Sequence, residues 1–185
     1  MASRWIEIND NLLLCRKVYA ILKQKNPHIL PNKIDIIAHR DNSRKCSIAK
    51  EDRRLGTKDE KNWIAHYDDP FLMTPHICIK QDFLFFPFDI PTQQQNRRKD
   101  VSYREYCKGN WILIEVMCHE LSHSIVLGHG KDFFKLYHHF LSQMASSVFT
   151  GDFYYWYTKQ HQSMKRIPPT REWLDHYLVW KWFLK

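Results

Sequence analysis

The chain has 185 residues, of which 44% are hydrophobic, and this length is enough for one domain with a substantial core. Its formal charge of +8 at pH 7 favours polyanionic partners such as nucleic acid, and ordinary solubility charge is the competing interpretation. No apolar run approaches the roughly 20 residues of a membrane span, and Arg4, Glu7 and Asp10 interrupt the N-terminal apolar residues, so neither a membrane segment nor a secretory signal is expected.

The N-terminal part of the chain predicts a helix followed by a strand. Asn9 and Asp10 suit the N-cap of a first helix at about residues 10–25. Pro27 is expected to end this helix. The alternation of apolar and polar residues over 33–38 then predicts a strand. The apolar stripe of the helix consists of Leu13, Leu14, Val18, Ile21 and Leu22.

The middle of the chain predicts loops and short strands. Residues 40–61 are highly charged and predict a loop, with a short strand around 46–48. Two further strands are expected at 63–66 and 76–79. An aromatic segment, residues 83–88, follows the second of them.

A polar and basic stretch at residues 91–108 predicts a surface insertion. Three roles stay open for this stretch: a lid, a nucleic-acid contact or a plain loop. Arg97, Arg98 and Lys99 are its candidate nucleic-acid contacts because they place three positive charges side by side.

The most informative segment is a mostly apolar helix that carries histidines. Its expected N-cap is Asn110, it runs to about Leu127, and Gly128 is expected to end it. His119 and His123 are four residues apart, so both imidazoles lie on one face of the helix. His129 follows after five intervening residues and supplies a third ligand. Three protein ligands and one open position are typical of a catalytic zinc ion.

Glu120 follows the first histidine and lies off the ligand face, where it reaches a zinc-bound water without binding the metal. Such a water has a pKa near ~7. Glu120 is therefore the candidate general base, accepting the proton as the water attacks a carbonyl and passing it to the leaving amine. No oxyanion donor can be named, although a His or Tyr from the C-terminal segment would suit.

Two further carboxylates are candidates for a supporting role. Glu115 lies four residues before His119 on the same stripe, where it could accept a hydrogen bond from a ligand imidazole or pair with a surface lysine. Asp132 could do the same for His129 or cap the next helix, expected at residues 133–141. Residues 151–185 are rich in tryptophan and predict a helical extension, with a last helix at 171–183.

The five cysteines are odd in number and widely spaced, and no CxxC occurs. This pattern predicts reduced thiols in an intracellular protein, nuclear or cytoplasmic and not secreted, rather than a disulfide framework or a zinc ribbon. Cys118 is next to His119 but points about 100° away on a helix, so we expect it in the core. The chain as a whole predicts one domain, residues 1–185, with its core at about 10–142 and the extension at 151–185.

The segment from 77 to 141 resembles the WLM metallopeptidase family, relatives of the Spartan/SprT-like proteases. Three features carry the likeness: a strand at 77–79 before an aromatic Pro-Phe turn at 85–88, the helix at 116–123, and His129 with Phe133 four residues on. WLM members usually place Gly-Pro before the third histidine. Here Leu127-Gly128 precede it and Gly130 follows. The pattern His129-Gly130-x-x-Phe133 is instead closer to the SprT-like form.

This resemblance implies an α+β fold of the minimal zincin type, with helices packed on a small, mainly antiparallel sheet and the HExxH sequence on the active-site helix. It also implies proteolysis of proteins bound or crosslinked to DNA, by one zinc ion held by His119, His123 and His129 with Glu120 as general base. The expected partner is then DNA, of which the single-stranded form is one option. The enzyme is expected to be a monomer. Two alternatives stay open: a zinc-dependent nuclease, and a zinc-stabilised module that binds nucleic acid without catalysis.

Overall fold

The computed structural model describes residues 2–39, 64–68, 74–85 and 103–153. Within these residues the chain forms three long helices, a helix of a single turn and three short strands, which is the small α+β architecture expected from the sequence. Several predictions lie outside them: the loop at 40–61, the basic residues Arg97, Arg98 and Lys99, and the C-terminal extension from 154 onward.

The first helix, α1, spans Ala2–Lys25 and therefore begins eight residues before the expected start at residue 10. Asn9 and Asp10 lie inside it, so the predicted cap is wrong. Residues 2–9 contain neither Pro nor Gly, and nothing in that sequence stops a helix. The helix ends before Pro27 as predicted, and the backbone N–H of Asn26 donates to the carbonyl of Leu22 at 2.8 Å.

Three strands form one mixed sheet in the order β1-β3-β2, with β1 at Asp35–His39, β2 at Ala65–Asp68 and β3 at His76–Lys80. The antiparallel expectation holds for the β2–β3 pair and is wrong for the β1–β3 pair, which is parallel. The bounds of β1 and β2 differ from the predicted 33–38 and 63–66 because each strand extends only where it is paired with β3.

The central strand β3 lies where the sequence predicts it, and its first four residues are buried. A helix of a single turn, α2 at Gln81–Phe85, follows it directly. Phe83 and Leu84 are buried there, and the side-chain amide of Asn11 donates to the carbonyl of Leu84. This hydrogen bond ties α1 to α2. The rest of the aromatic segment, residues 86–88, lies outside the described ranges.

The helix that carries the HExxH sequence, α3, spans Tyr103–His123. It begins seven residues before the predicted cap Asn110, so residues 103–108 are helical rather than part of a surface insertion. It also ends four residues before Leu127, so Gly128 does not terminate it. Instead, the N–H groups of Ser124 and Ile125 donate to the carbonyls three residues earlier, at 3.2 and 3.1 Å, which tightens the last turn.

The helix that follows His129, α4, spans Lys131–Phe149 and is longer than the predicted 133–141. The helix α3 packs against α1, α4 and β2, and α1 also packs against β1 and α2. One core therefore joins the helices to the sheet. Its largest fully buried side chains include Trp111, Phe133, Phe140, Leu22 and Ile77. Among the helices of the described ranges, none is long and apolar enough to cross a membrane.

Candidate metal centre and active-site cleft

The structure brings His119, His123 and His129 together at one point. The first two are presented by the last turn of α3, and the third by the short connection that leads into α4. We refer to these residues as the metal triad. Their Nε2 atoms form a nearly equilateral triangle with edges of 3.2 Å (His119–His123), 3.1 Å (His123–His129) and 3.1 Å (His119–His129).

The size of this triangle fits a tetrahedral metal ion. Bonds of about 2.0–2.1 Å to a tetrahedral zinc place two ligand nitrogens about 3.3–3.4 Å apart, close to the edges observed here. Three imidazole nitrogens also form a donor set that zinc accepts readily. The geometry therefore suits one ion held by the three Nε2 atoms, and within the described chain no other cluster of three or more potential ligands is present.

The turn after α3 sets the orientation of His123. Its Nδ1 atom lies 3.1 Å from the carbonyl oxygen of Val126. A carbonyl only accepts hydrogen bonds, so Nδ1 carries the proton and donates it, and Nε2 keeps a free lone pair directed at the other two imidazoles. A backbone carbonyl in this position fixes the tautomer that a metal ligand requires. The sequence gives no sign of this contact, because it depends on where the helix ends.

The imidazoles of the metal triad surround the ring of Phe133, which is fully buried. The centroid of that ring lies 4.9 Å from His119, 4.5 Å from His123 and 4.8 Å from His129. A single phenyl ring therefore supports all three ligands. Its neighbour Phe134 is 47% exposed and contributes little to this support, so of the two aromatic residues only Phe133 anchors the triad.

Partial burial changes the protonation of the ligands in the metal-free protein. Desolvation, assisted by the charges of His123 and His129, lowers the pKa of His119 to about 4. Desolvation also lowers the pKa of His123, while its hydrogen bond with Val126 acts in the opposite direction. Neutral imidazoles bind metal and imidazolium does not. His119 therefore stays in the metal-binding form well below neutral pH, and the pKa of His123 is shifted in the same direction.

Glu120 follows His119 in α3, and it is buried in the wall of a cleft that His119 also lines. Desolvation raises the pKa of its carboxyl group to about 7, and the nearby His66 together with the backbone N–H of Tyr67 lower it in part. That N–H donates a hydrogen bond to the carboxylate, so β2 holds Glu120 in place. A carboxylate with a pKa near the working pH is suited to both taking up and releasing a proton.

The cleft has a volume of about 300 Å³ and lies between β2, α3 and α4. Glu115, His119 and Glu120 give it polar walls. Its remaining lining residues are Ile64, Ala65, Val116 and Tyr137. The ring of Tyr137 lies 6.0 Å from that of His119 and is parallel to Phe133 at 6.3 Å. Desolvation and the charges of Glu115 and Cys118 raise the pKa of Tyr137, which keeps its hydroxyl protonated.

The supporting carboxylates predicted from the sequence occupy different environments. Glu115 lines the cleft and is half-buried. Asp132 is exposed in the first turn of α4, where a negative charge complements the helix N-terminus. The N-cap of that helix is Gly130, so Asp132 does not cap it. Cys118 is fully buried as expected, and burial raises the pKa of its thiol. Cys15 and Cys78 are buried as well, and none of these three is in a disulfide.

Sequence reasoning missed three groups that shape the site: the backbone N–H of Tyr67, the side chain of His66 and the ring of Tyr137. The first two lie more than fifty residues from Glu120 along the chain, and only the folding of β2 against α3 brings them near it. Tyr137 could have been found, because it follows Phe133 by four residues and therefore shares its helical face.

Comparison with models of known protein families, with curated proteins and with solved structures finds no significant match to this chain.

Proposed function

We propose that this chain is a zinc-dependent metallopeptidase that cleaves proteins bound or crosslinked to DNA. The observation that carries the proposal is the position of Glu120. This buried residue lines the same cleft as His119, next to three convergent imidazole nitrogens. A purely structural metal site has no use for such a carboxylate, whereas hydrolysis requires a base at this position.

The residues of the site divide the work of hydrolysis between them. The metal triad would hold zinc, which supplies a Lewis acid that polarises a water molecule and the substrate carbonyl. Glu120 takes a proton from the attacking water on its carboxylate and then delivers it to the nitrogen of the leaving amine. The backbone N–H of Tyr67 keeps the carboxylate in place during both transfers. Burial of Glu120 keeps competing water away from it.

The arrangement of β2 supports a peptide as substrate. The N–H of Lys80 donates to the carbonyl of Ile64 at 2.8 Å, so residues 64, 66 and 68 exchange backbone hydrogen bonds with β3. Ala65 and Tyr67 then direct their backbone groups away from β3. Within the described sheet β2 is an outer strand, and Ala65 also lines the cleft. An extended peptide lying in the cleft can pair with Ala65 as an added strand.

The DNA component of the proposal rests on the charge of the chain and on its resemblance to a protease family. The formal charge of +8 favours a polyanion, and the resemblance to WLM and SprT-like proteases points to DNA-bound substrates. The basic residues at 97–99 lie outside the described ranges. An intracellular location, nuclear or cytoplasmic, belongs to the same proposal because its substrates are there.

The test is cleavage of a purified DNA-binding protein by the wild type and by Glu120→Gln, with and without single-stranded DNA. Glu120→Gln preserves the shape of the side chain, and its amide oxygen can still accept from Tyr67. We expect the variant to retain zinc and to lose hydrolysis by a factor of about 100 to 10,000, the contribution typical of a positioned base. Zinc content measured in both proteins separates a lost base from a lost metal.

The same experiment addresses the two alternative functions. Degradation of the DNA by the wild type, with the protein left intact, would favour a nuclease. Zinc bound without hydrolysis of either polymer would favour a binding module. Cleavage of protein at the wild-type rate by Glu120→Gln would contradict the proposed mechanism.

A further inference from the structure

We propose that Glu115 and Tyr137 form a subsite that selects a lysine or arginine side chain of the substrate next to the bond that is cut. This inference rests on the proposed peptidase function and names the substrate chemistry of the same cleft. Glu115 and Tyr137 both line that cleft, one from α3 and the other from α4. Neither is required to hold the metal.

The location of Glu115 places it close to the reacting bond. It precedes His119 by four residues, which corresponds to about 6 Å along the helix. An extended peptide advances about 3.3 Å per residue. The substrate side chain that meets Glu115 therefore belongs to a residue within about two positions of the cut.

The walls of the cleft suit a long aliphatic side chain with a positive end. Ile64, Ala65 and Val116 line it with apolar surface, against which the methylene groups of lysine or arginine can pack. Glu115 is half-buried among them. A carboxylate in such surroundings is stabilised by an opposite charge and opposes a like charge. A substrate with an acidic residue at this position would add a negative charge to a cleft that already holds two carboxyl groups.

Tyr137 completes the subsite. It lines the same cleft as Glu115, and its ring lies 6.0 Å from that of His119. The protonated hydroxyl can accept a hydrogen bond from an ammonium or guanidinium group, and the ring offers a face to the same cation. Lysine and arginine satisfy both partners, whereas a neutral side chain of the same length satisfies neither. Proteins that bind DNA are rich in these two residues, which agrees with the proposed substrates.

The test begins with the zinc-loaded wild type and a peptide library, with cleavage sites read by mass spectrometry. Quenched fluorescent peptides then compare lysine, norleucine and glutamate at the preferred position, since norleucine retains the aliphatic chain and lacks the charge. We expect kcat/KM to be about tenfold to hundredfold higher for lysine than for norleucine, the range of a hydrogen bond to a charged group, and lowest for glutamate. Glu115→Gln should reduce the ratio of lysine to norleucine towards one, and Glu115→Lys should favour glutamate.

The matched control is Asp35→Asn, which removes one carboxylate from β1, the strand at the other side of the sheet from β2. It should keep the wild-type ratio. Equal kcat/KM for lysine and norleucine in the wild type would overturn the inference while leaving the peptidase intact, and this result does not depend on any variant folding. An unchanged ratio in zinc-loaded Glu115→Gln would also overturn it. Failure of the zinc-loaded wild type to cleave any peptide would contradict the proposed function and the inference with it.

Discussion

The phenyl ring of Phe133 lies 4.5 Å from the imidazole of His123, measured between ring centroids, and it contacts the other two histidines of the metal triad at similar distances. Phe133 is fully buried in the first turn of α4, whereas His123 is the last residue of α3. One aromatic side chain therefore links the two helices and supports all three ligands. The position of the ligands depends on this ring as well as on the sequence spacing.

We predict that Phe133→Ala destabilises the protein by about 3–5 kcal/mol, the cost typical of deleting a buried phenyl ring. The variant should also bind zinc about 10–100-fold more weakly, because the imidazoles lose the surface that orients them. Denaturant unfolding of the metal-free protein measures the first effect, and competition with a chromophoric chelator measures the second.

Phe134→Ala provides the control for that prediction, since the adjacent ring is 47% exposed. We expect it to change stability by no more than about 0.5 kcal/mol and to leave zinc affinity at the wild-type value. Equal losses in the two variants would show that the aromatic pair acts through the general packing of α4 rather than through support of the ligands.

The residues of the metal triad could be predicted because their relative positions depend only on spacing within a short stretch of sequence. Residues four apart on a helix share a face, so His119 and His123 needed only the assignment of a helix, and His129 followed from its spacing. The burial of Cys118 was predictable for the same reason, since its direction from the helix axis is fixed relative to His119.

The ends of α3 could not be predicted, for two different reasons. At its start, the polar residues 103–108 suggest a loop, but Tyr, Arg, Glu, Cys and Lys are all tolerated in helices, and one Gly costs only about 1 kcal/mol. At its end, Ser124 and Ile125 form the tight turn that allows His123 to reach the carbonyl of Val126. This turn depends on satisfying the last carbonyls of the helix, and no capping residue signals it.

Two long-range features could not be predicted from the sequence either. They are the parallel pairing of β1 with β3 and the contact of Tyr67 with Glu120. Asp35 pairs with His76 across about forty residues of chain, and alternation within one strand carries no information about the direction of its neighbour. The local sequence therefore predicts the position of the three histidines, whereas the environment of Glu120 arises from long-range packing.

A second prediction concerns the third ligand. His129→Ala should weaken zinc binding by more than about 100-fold, because it removes one of three protein ligands whereas loss of a supporting contact alone costs about 10–100-fold. His139→Ala is the matched control: that residue is exposed on α4, and its Nε2 lies 3.0 Å from the amide nitrogen of Gln143. Zinc content after gel filtration should be lost in the first variant and retained in the second. Retention of zinc by His129→Ala would exclude the three-histidine site.

A third prediction concerns the pH dependence of stability in the metal-free protein. The pKa of His119 is lowered to about 4 by burial, so acidification from its ordinary value of 6.5 to about 4 favours the unfolded chain, which takes up the proton first. The pKa of Glu120 is raised from 4.5 to about 7, so acidification over that interval favours the folded chain. Between pH 6.5 and 4.5 the two contributions oppose each other.

Glu120→Gln removes only the second contribution. We therefore expect the metal-free variant to lose stability more steeply on acidification from about pH 7 to about pH 5 than the metal-free wild type does. Denaturant unfolding in the presence of a chelator, repeated across this range, gives the two slopes. Comparing the slopes of unfolding free energy against pH removes the pH-independent change in stability that replacing a buried acid by an amide causes. Identical slopes would indicate that Glu120 is not protonated near neutral pH in the folded protein.

The last prediction distinguishes a catalytic metal from a structural one. Zinc that binds only the folded chain adds about 4 kcal/mol to its stability at a thousandfold excess over Kd, which corresponds to a rise in Tm of about 8–16 °C for a protein of this size. Chelation should reverse this rise and leave the helical circular-dichroism signal at 25 °C unchanged, because Met117 and Leu121 of α3 belong to the same buried core as Phe140 and Met144 of α4. Zinc-dependent folds lose their structure with the metal. Collapse of the helical signal on chelation would therefore contradict this prediction and indicate a structural role for the metal triad.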